Sequence, residues 1–360
     1  MEYYNTADTI SKMNKKNDAD IKSLFEKSLL KITDEFKEPP VCLTVGHEET
    51  ESIVCTLGNI SLVIGKSKSR KTYFVSAMAA AFLKNGTVIG FRSHLPHHKR
   101  KILYVDTEQG RFHCHKVLKR ILKAANLPES YQPDNFLYMT LRQHDPTTRS
   151  KIVEYAIDNS PEIGVVIIDG IRDLLFSFND ERESIELVTS LMKWSQEKEI
   201  HIVSVLHQNK NDENARGHLG SELTNKAESI LTVIKDSHEK DISIVHSNLR
   251  DRDFNDVAFG VDDDDTPIIK SDYRPKPETS KYNDPADKDD NIHRSLLEFV
   301  FKENQTFSFN EFWKAIKVQA KRSDIEIGDA KARDWANYYL EKNFVENIGN
   351  EKQFKIKHVN

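Results

Sequence analysis

Residues 65–72 read GKSKSRKT, preceded by the apolar run Ile60, Leu62, Val63 and Ile64 and followed by the helix-like YFVSAMAAAFLK. A buried strand that ends in a polar turn and feeds straight into a helix is the layout of a phosphate-binding loop. The first backbone N–H groups of a helix have no partner within it and face an anion instead. In this frame Gly65, Lys66, Ser67, Lys68, Ser69, Arg70, Lys71 and Thr72 surround the phosphates. Lys71 reaches the β- and γ-phosphates, and the Thr72 hydroxyl holds Mg²⁺. One element of the pattern G-x-x-x-x-G-K-S/T is broken, because Arg70 stands where the second glycine belongs. Reading Lys66-Ser67 as the lysine–hydroxyl pair instead requires glycines at positions 60 and 65, and position 60 is Ile60. Taken alone, the segment also reads as a basic surface turn. The additional charges of Lys66 and Lys68 are better explained by an anionic ligand.

Companion residues follow at strand ends. GVVIIDG places Asp169 at the end of an apolar run, where a second carboxylate would hold the Mg²⁺ water shell, although Asp169-Gly170 also reads as a plain strand-ending turn. KILYVDTEQG places Asp106, Thr107 and Glu108 at the end of the strand expected beside the loop strand. A carboxylate there orients an attacking water, since phosphoryl transfer rests on positioning and charge stabilisation. The bland alternative for Glu108 is a solvated loop residue. HIVSVLHQNKN ends another strand in His207, Gln208 and Asn209, polar groups suited to sensing a γ-phosphate or to a simple strand-to-loop transition. The following NDENARGHLGSELTN reads as a long polar loop.

Residues 1–40 form a polar lead-in with one amphipathic helix, IKSLFEKSLLKITDEF, stopped by Pro39-Pro40. From 41 to 270 two strands precede an alternation of short β-branched runs and helical stretches. That alternation predicts an α/β fold, with a mostly parallel sheet covered by helices on both faces. Segments 242–254 and 256–262 then read as a terminal antiparallel hairpin. Residues 271–290, rich in proline and charge, have linker composition. Beyond them, 291–360 offers three short amphipathic helices and two strands around Gly349-Asn350, the plan of a winged helix. Trp313 and Trp335 recur at helical spacing with Phe309, Phe312 and Tyr339, which predicts a core rather than a base-stacking face.

Composition narrows the classes. The chain has 360 residues, 38% hydrophobic and 30% charged, with no apolar stretch of bilayer length, so no membrane partner is expected. The first residues carry no apolar core of a secretory signal, which points to the cytoplasm. Cys42, Cys55 and Cys114 lack paired spacing, so neither a disulfide framework nor a zinc site is indicated, and they read as small hydrophobes. A formal net charge of −5 argues against a protein that coats nucleic acid uniformly, but leaves a local patch or an oligomeric channel open.

The order strand–loop–helix, strand ending in Asp-x-Glu, strand ending in Asp, strand ending in His-Gln-Asn resembles the RecA-like ATPase core over about residues 40–262. Within that superfamily the chain resembles the RepA-type and DnaB-type hexameric helicases, and in particular AAA-family ATPases of mobile elements with the Gly-Lys-x-Lys-Ser-Arg-Lys-Thr loop. The resemblance implies ATP and Mg²⁺ at Lys71, Thr72 and Asp169, a catalytic carboxylate at Glu108 and a sensor at Gln208. It also implies a basic-x-basic pair that reaches a neighbour's site, a place that Arg250-Asp251-Arg252 fits as well as it fits an exposed charged hairpin. A homo-oligomer, a hexameric ring, is the corresponding expectation, with single-stranded DNA in the ring or on its loops.

In the winged-helix plan the third helix enters the major groove of duplex DNA and the wing touches phosphate. Lys331 and Arg333 lie near the start of that helix, and Lys352, Lys355 and Lys357 in the wing region. The same module also serves protein–protein contact. The leading expectation is a DNA motor in replication or mobilisation of a mobile element. A nucleotide-controlled DNA-binding switch (loader, initiator or regulator) is the alternative, and a non-catalytic scaffold is a third.

Overall fold

The computed structural model describes residues 20–46, 51–177, 179–208, 215, 217–236, 239–273, 283–302, 304–323, 325–349 and 356–358. Two compact units are present, Met1–Asp272 and Tyr273–Asn360.

The first unit opens with a short helix, α1, over 20–28, whose residues are exposed. The sequence predicts a helix as far as Phe36, but the chain leaves the helix earlier. The Asp34 carboxylate accepts the Lys31 N–H at 2.8 Å, and the Asp34 N–H returns to the Lys31 carbonyl at 2.9 Å. That local turn competes with helix propagation. Next come β1 (Val41–Val45), β2 (Ser52–Thr56), β3 (Ile60–Gly65) and α2 (Lys71–Lys84). They are followed by β4 (Thr87–Val88), β5 (Phe91–Ser93), β6 (Lys101–Asp106), α3 (Arg111–Ala124) and β7 (Phe136–Thr140). The core continues with α4 (Pro146–Asp158), β8 (Ile163–Asp169), α5 (Glu181–Lys198), β9 (His201–His207), α6 (Gly217–Lys226) and β10 (Ser229–Lys235). Three antiparallel strands, β11 (Ser243–Leu249), β12 (Val257–Val261) and β13 (Pro267–Ile269), close the unit.

Nine strands form one sheet in the order β13-β12-β11-β10-β3-β9-β8-β6-β7, parallel from β10 to β7. Every residue of β3 and β8 is buried, as expected of strands covered on both faces. Alternate side chains divide between two cores. Val63, Tyr104, Ile167 and Val203 pack with α2 and α3, while Leu62, Val105, Ile168 and Ile202 pack with α4, α5 and α6. The α/β class and the mostly parallel, helix-flanked sheet expected of a RecA-like core are thus what this chain forms. A smaller sheet, β2-β1-β5-β4, joins the α2 side.

Two expectations need correction. The strand ending in Asp106 does not adjoin the loop strand, because β9 and β8 lie between β3 and β6. Part of the segment read as a polar loop is the helix α6, held by Leu219 and Leu223 in the core, while residues 209–214 and 216 fall outside the described residues.

In the second unit α7 (Asp290–Val300), α8 (Phe309–Arg322) and α9 (Asp329–Glu341) precede an antiparallel pair, β14 (Val345–Asn347) and β15 (Ile356–His358). A capping box between Ser308 and Glu311 starts α8. Phe312, Trp335 and Tyr339 are fully buried and Trp313 nearly so, which makes them the core that their spacing predicts. Among the described residues no helix is long and apolar enough to cross a membrane.

Candidate nucleotide site

The site lies at the C-terminal ends of β3, β9, β8 and β6. Gly65 ends β3 in a place that admits no side chain: a Cβ there would strike the Val233 carbonyl and come within 2.6 Å of Ser69 Oγ. Beyond it the backbone turns through Lys68 at φ 65° and Arg70 at φ 70°, both left-handed. A side chain at Arg70 therefore costs about 1–2 kcal/mol relative to the glycine of the usual pattern. In return the position places a guanidinium beside the loop. Its Nη2 is 3.5 Å from Asp241 Oδ1. Arg70 Nη1 and Ser69 Oγ are buried without a hydrogen-bond partner among the described residues. A phosphate oxygen accepts from both kinds of donor, so the loop fits an anionic ligand.

Lys71 starts α2 and is 7% exposed. Its Nζ donates to the Gly65 carbonyl at 2.8 Å, to the Lys66 carbonyl at 3.0 Å and to His207 Nδ1 at 3.1 Å. Because an ammonium only donates, this contact leaves the His207 proton on Nε2. That nitrogen faces Glu108, whose Oε1 is 3.7 Å away. The neighbouring His207 ring holds the Glu108 carboxyl below its usual value. Burial lowers Lys71 to about 8 against the pull of Asp169 and Glu108. Burial, together with the neighbouring Asp106, raises Asp169 to about 7, while a hydrogen bond from Tyr104 at 2.9 Å opposes the rise.

Asp106 braces the turn and also lines an adjoining cavity with Thr72, Glu108 and Asp169. It accepts from the backbone N–H of Glu108 at 3.0 Å and of Gln109 at 2.8 Å, fixing the turn that presents Glu108. Gly170, at φ 100°, lets the end of β8 fold against that turn; a Cβ there would lie 2.9 Å from Glu108 Cγ. Close approach at Gly170 brings Glu108 beside His207, and through it near Lys71, although two strands separate β6 from β3.

A cavity of about 350 Å³ is lined by Lys68, Arg70, Lys71, Thr72, Glu108, Asp169 and His207. Thr72 and Asp169 are the oxygen donors there that suit a hard divalent cation. A second cavity of about 540 Å³ adjoins it through Glu108 and His207 and carries Arg142, Arg149 and Arg172. Sequence reasoning missed these arginines, because no local pattern marks them. Arg149 is spent on the backbone, donating to the carbonyls of Leu141, Asp173 and Arg142 at 2.7–3.0 Å.

Other expected site residues lie elsewhere. Gln208 does not line either cavity; it is buried and bridged to Ala215, and His207 holds the place next to Lys71. Register explains the exchange: Gly65 pairs with His207, and the next side chain along a strand points to the opposite face. Arg250 and Arg252 are exposed just past Leu249, which pairs with Ser229, itself paired with Ser61 at the start of β3. They sit at the sheet edge opposite the loop and do not meet Lys71 of their own chain. Lys331 donates to Asp284 at 2.7 Å, and the Arg333 guanidinium lies 4.7 Å from the Trp313 ring centre. Lys352 and Lys355 lie outside the described residues. Lys357 is in β15, and its side chain is likewise outside them.

Comparison with known proteins adds a family likeness. Residues 54–213 match the family described as AAA domain. No curated protein matches the chain. Among solved structures, an ATPase domain aligns with a TM-score of 0.43 at 15% identity, covering 59% of this chain and 85% of its own. The family match takes in the loop, Glu108, Asp169 and His207 and stops short of Arg250, so the segment that builds the cavity is similar to AAA-type P-loop ATPase domains.

Proposed function

We propose that the chain is an ATP-hydrolysing, Mg²⁺-dependent RecA-like motor that acts on DNA as a homo-oligomeric ring. One observation carries this reading: Lys71, His207 and Glu108 form a continuous polar chain beside Asp169 at the mouth of the loop. Gly65 through Thr72 cradle the triphosphate, Lys71 neutralises its charge, and Thr72 and Asp169 hold Mg²⁺. An ion held by Thr72 and Asp169 would supply charge neutralisation at the phosphate oxygens. Glu108 orients and deprotonates the attacking water. His207 links Glu108 to Lys71, so a γ-phosphate that draws Lys71 away releases His207 to face Glu108 alone, a local rearrangement that would report nucleotide state.

Single-stranded DNA is the partner of the ring, and Arg250 and Arg252 serve a neighbour's site rather than their own. The second unit acts as a winged-helix DNA reader in which Lys331, Arg333, Lys352, Lys355 and Lys357 meet duplex phosphate. Lys331 and Arg333 would have to leave Asp284 and Trp313 to do so. Service to a mobile element rests on the loop resemblance alone.

Steady-state ATPase measurement with and without single-stranded DNA tests the proposal. Turnover stimulated by DNA supports the motor. Slow turnover indifferent to DNA favours a nucleotide-controlled switch, and no turnover with intact folding leaves a scaffold.

A further inference from the structure

Three donors with no role at the nucleotide site converge at the other end of the sheet. Cys42 on β1, Cys55 on β2 and His201, the first residue of β9, are all fully buried, and one ligand atom from each lies within 4.8 Å of the others. Ordinary packing explains why a cysteine is buried. It does not explain why both thiols of adjacent strands meet an imidazole from a different sheet. We propose that Cys42, Cys55 and His201 bind a thiophilic, tetrahedral divalent cation of the zinc class.

The donor set suits such an ion. Zinc takes thiolate sulfur at about 2.3 Å and imidazole nitrogen at about 2.0–2.1 Å, so donors around it stand roughly 3.5–4 Å apart. The observed cluster needs only a small contraction. Two thiolates balance the charge of one divalent ion, which removes the penalty of burying either alone. Both imidazole nitrogens already have partners, Nδ1 with the Thr56 carbonyl at 2.8 Å and Nε2 with Ser61 Oγ at 2.9 Å. Whichever nitrogen ligates, the other keeps a hydrogen bond that fixes the ring, as metal-binding histidines require.

Glu228, just before β10, stands beside the ring with Oε2 3.9 Å from Nδ1 and orients it from outside the three-donor cluster. It is held there by the Thr56 N–H at 3.0 Å and the Thr56 hydroxyl at 2.8 Å.

A closed site of this kind is structural. Its three donors come from β1 and β2 of the small sheet and from β9, which pairs with β3. The ion would therefore fasten the β1–β2 pair to the base of the large sheet, far from the phosphate loop. With all three donors fully buried, it would be taken up as the chain folds.

Purified full-length protein, produced with zinc and dialysed, should carry one zinc per chain by elemental analysis. Cobalt-loaded protein should show thiolate-to-cobalt charge transfer and the intense visible bands of a tetrahedral site. Cys42→Ser, Cys55→Ser and His201→Gln should each abolish these bands, and Cys114→Ser, which removes a buried thiol elsewhere, should leave them intact. A wild-type measurement guards against variants that fail to fold: titration with a mercurial thiol reagent should release zinc to a chromophoric chelator in step with thiol loss. Trace metal in cooperatively folded wild-type protein overturns the proposal. So does a cobalt spectrum unchanged by Cys42→Ser or Cys55→Ser, or an intact mass two hydrogens short under non-reducing conditions, which would mean a disulfide in place of a metal.

Discussion

Lys71 Nζ lies 3.1 Å from Nδ1 of His207, and the far side of the same imidazole faces Glu108. Lys71 and Glu108 are therefore linked through one ring. Substituting His207 by alanine should leave nucleotide binding within a few-fold of wild type, because Lys71 keeps its other partners. Turnover should fall by about 10²-fold or more, the usual contribution of a positioned proton-transfer group. Binding by fluorescent nucleotide titration, alongside turnover, separates the two effects. An equal loss of both would make His207 a binding residue only.

Lys71→Ala should weaken nucleotide binding at least tenfold and abolish turnover, since a charged hydrogen bond is worth about 1.5–3 kcal/mol. Lys66→Ala is the control for the loop frame. Lys66 supplies its carbonyl to Lys71, and its exposed side chain should be dispensable. A larger loss in Lys66→Ala than in Lys71→Ala would show that the frame is wrong.

Glu108→Gln should hold ATP without hydrolysing it. The amide keeps the shape while removing the base, and Asp106 still anchors the backbone of the turn. Rapid quench of bound ATP should find it intact. Loss of binding in proportion to turnover would assign Glu108 to structure instead.

Arg250 and Arg252 lie at the sheet edge away from their own loop, so any contact with ATP must come from a neighbour. Activity should then rise more than proportionally with protein concentration and saturate. Arginine supplied in trans is worth about 10³–10⁵ in rate in GTPase systems, so Arg250→Ala or Arg252→Ala should cut turnover while ATP still binds. Mixtures of either variant with Lys71→Ala should regain part of the activity. No recovery at any ratio, with a monomeric mass in ATP and DNA, would exclude a shared site.

Stability of the second unit should depend on pH through His293. Its Nε2 pairs with the Pro285 carbonyl at 2.9 Å and its Nδ1 with Tyr339 Oη at 3.1 Å, and burial holds the imidazole below its usual value. Asp289 and Asp290 oppose that shift without cancelling it. The unfolded chain therefore binds the proton more readily. Stability is fully present above the unfolded value of about 6.5 and is lost as pH falls through the window beneath it. Melting followed by Trp313 and Trp335 fluorescence should show a decline of up to about 1.4 kcal/mol per pH unit. His293→Gln should flatten that slope.

Much of the core was legible because its signals are local. Gly65 through Thr72 declare themselves by a strand, a polar turn and a helix start in one short stretch. Asp106 and Asp169 close apolar runs whose length and β-branching are enough to mark strands. Trp313 and Trp335 follow a helical period that needs only one face. Where local signals compete, the reading slipped: the turn at Lys31–Asp34 cut α1 short, and Leu219 and Leu223 drew a polar segment into helix.

What the sequence by itself determined is the set of strand ends and the loop they serve. Only the tertiary structure decided their order across the sheet, because hydrogen bonding between strands has no signature within any one of them. That order inserted β9 beside β3 and put His207, not Gln208, next to Lys71. A shift of one residue along a strand turns a side chain to the opposite face, so register chose between two adjacent polar residues that composition could not separate. The same long-range pairing brought Cys42 and Cys55 together with His201, residues whose spacing along the chain carries no sign of a common site.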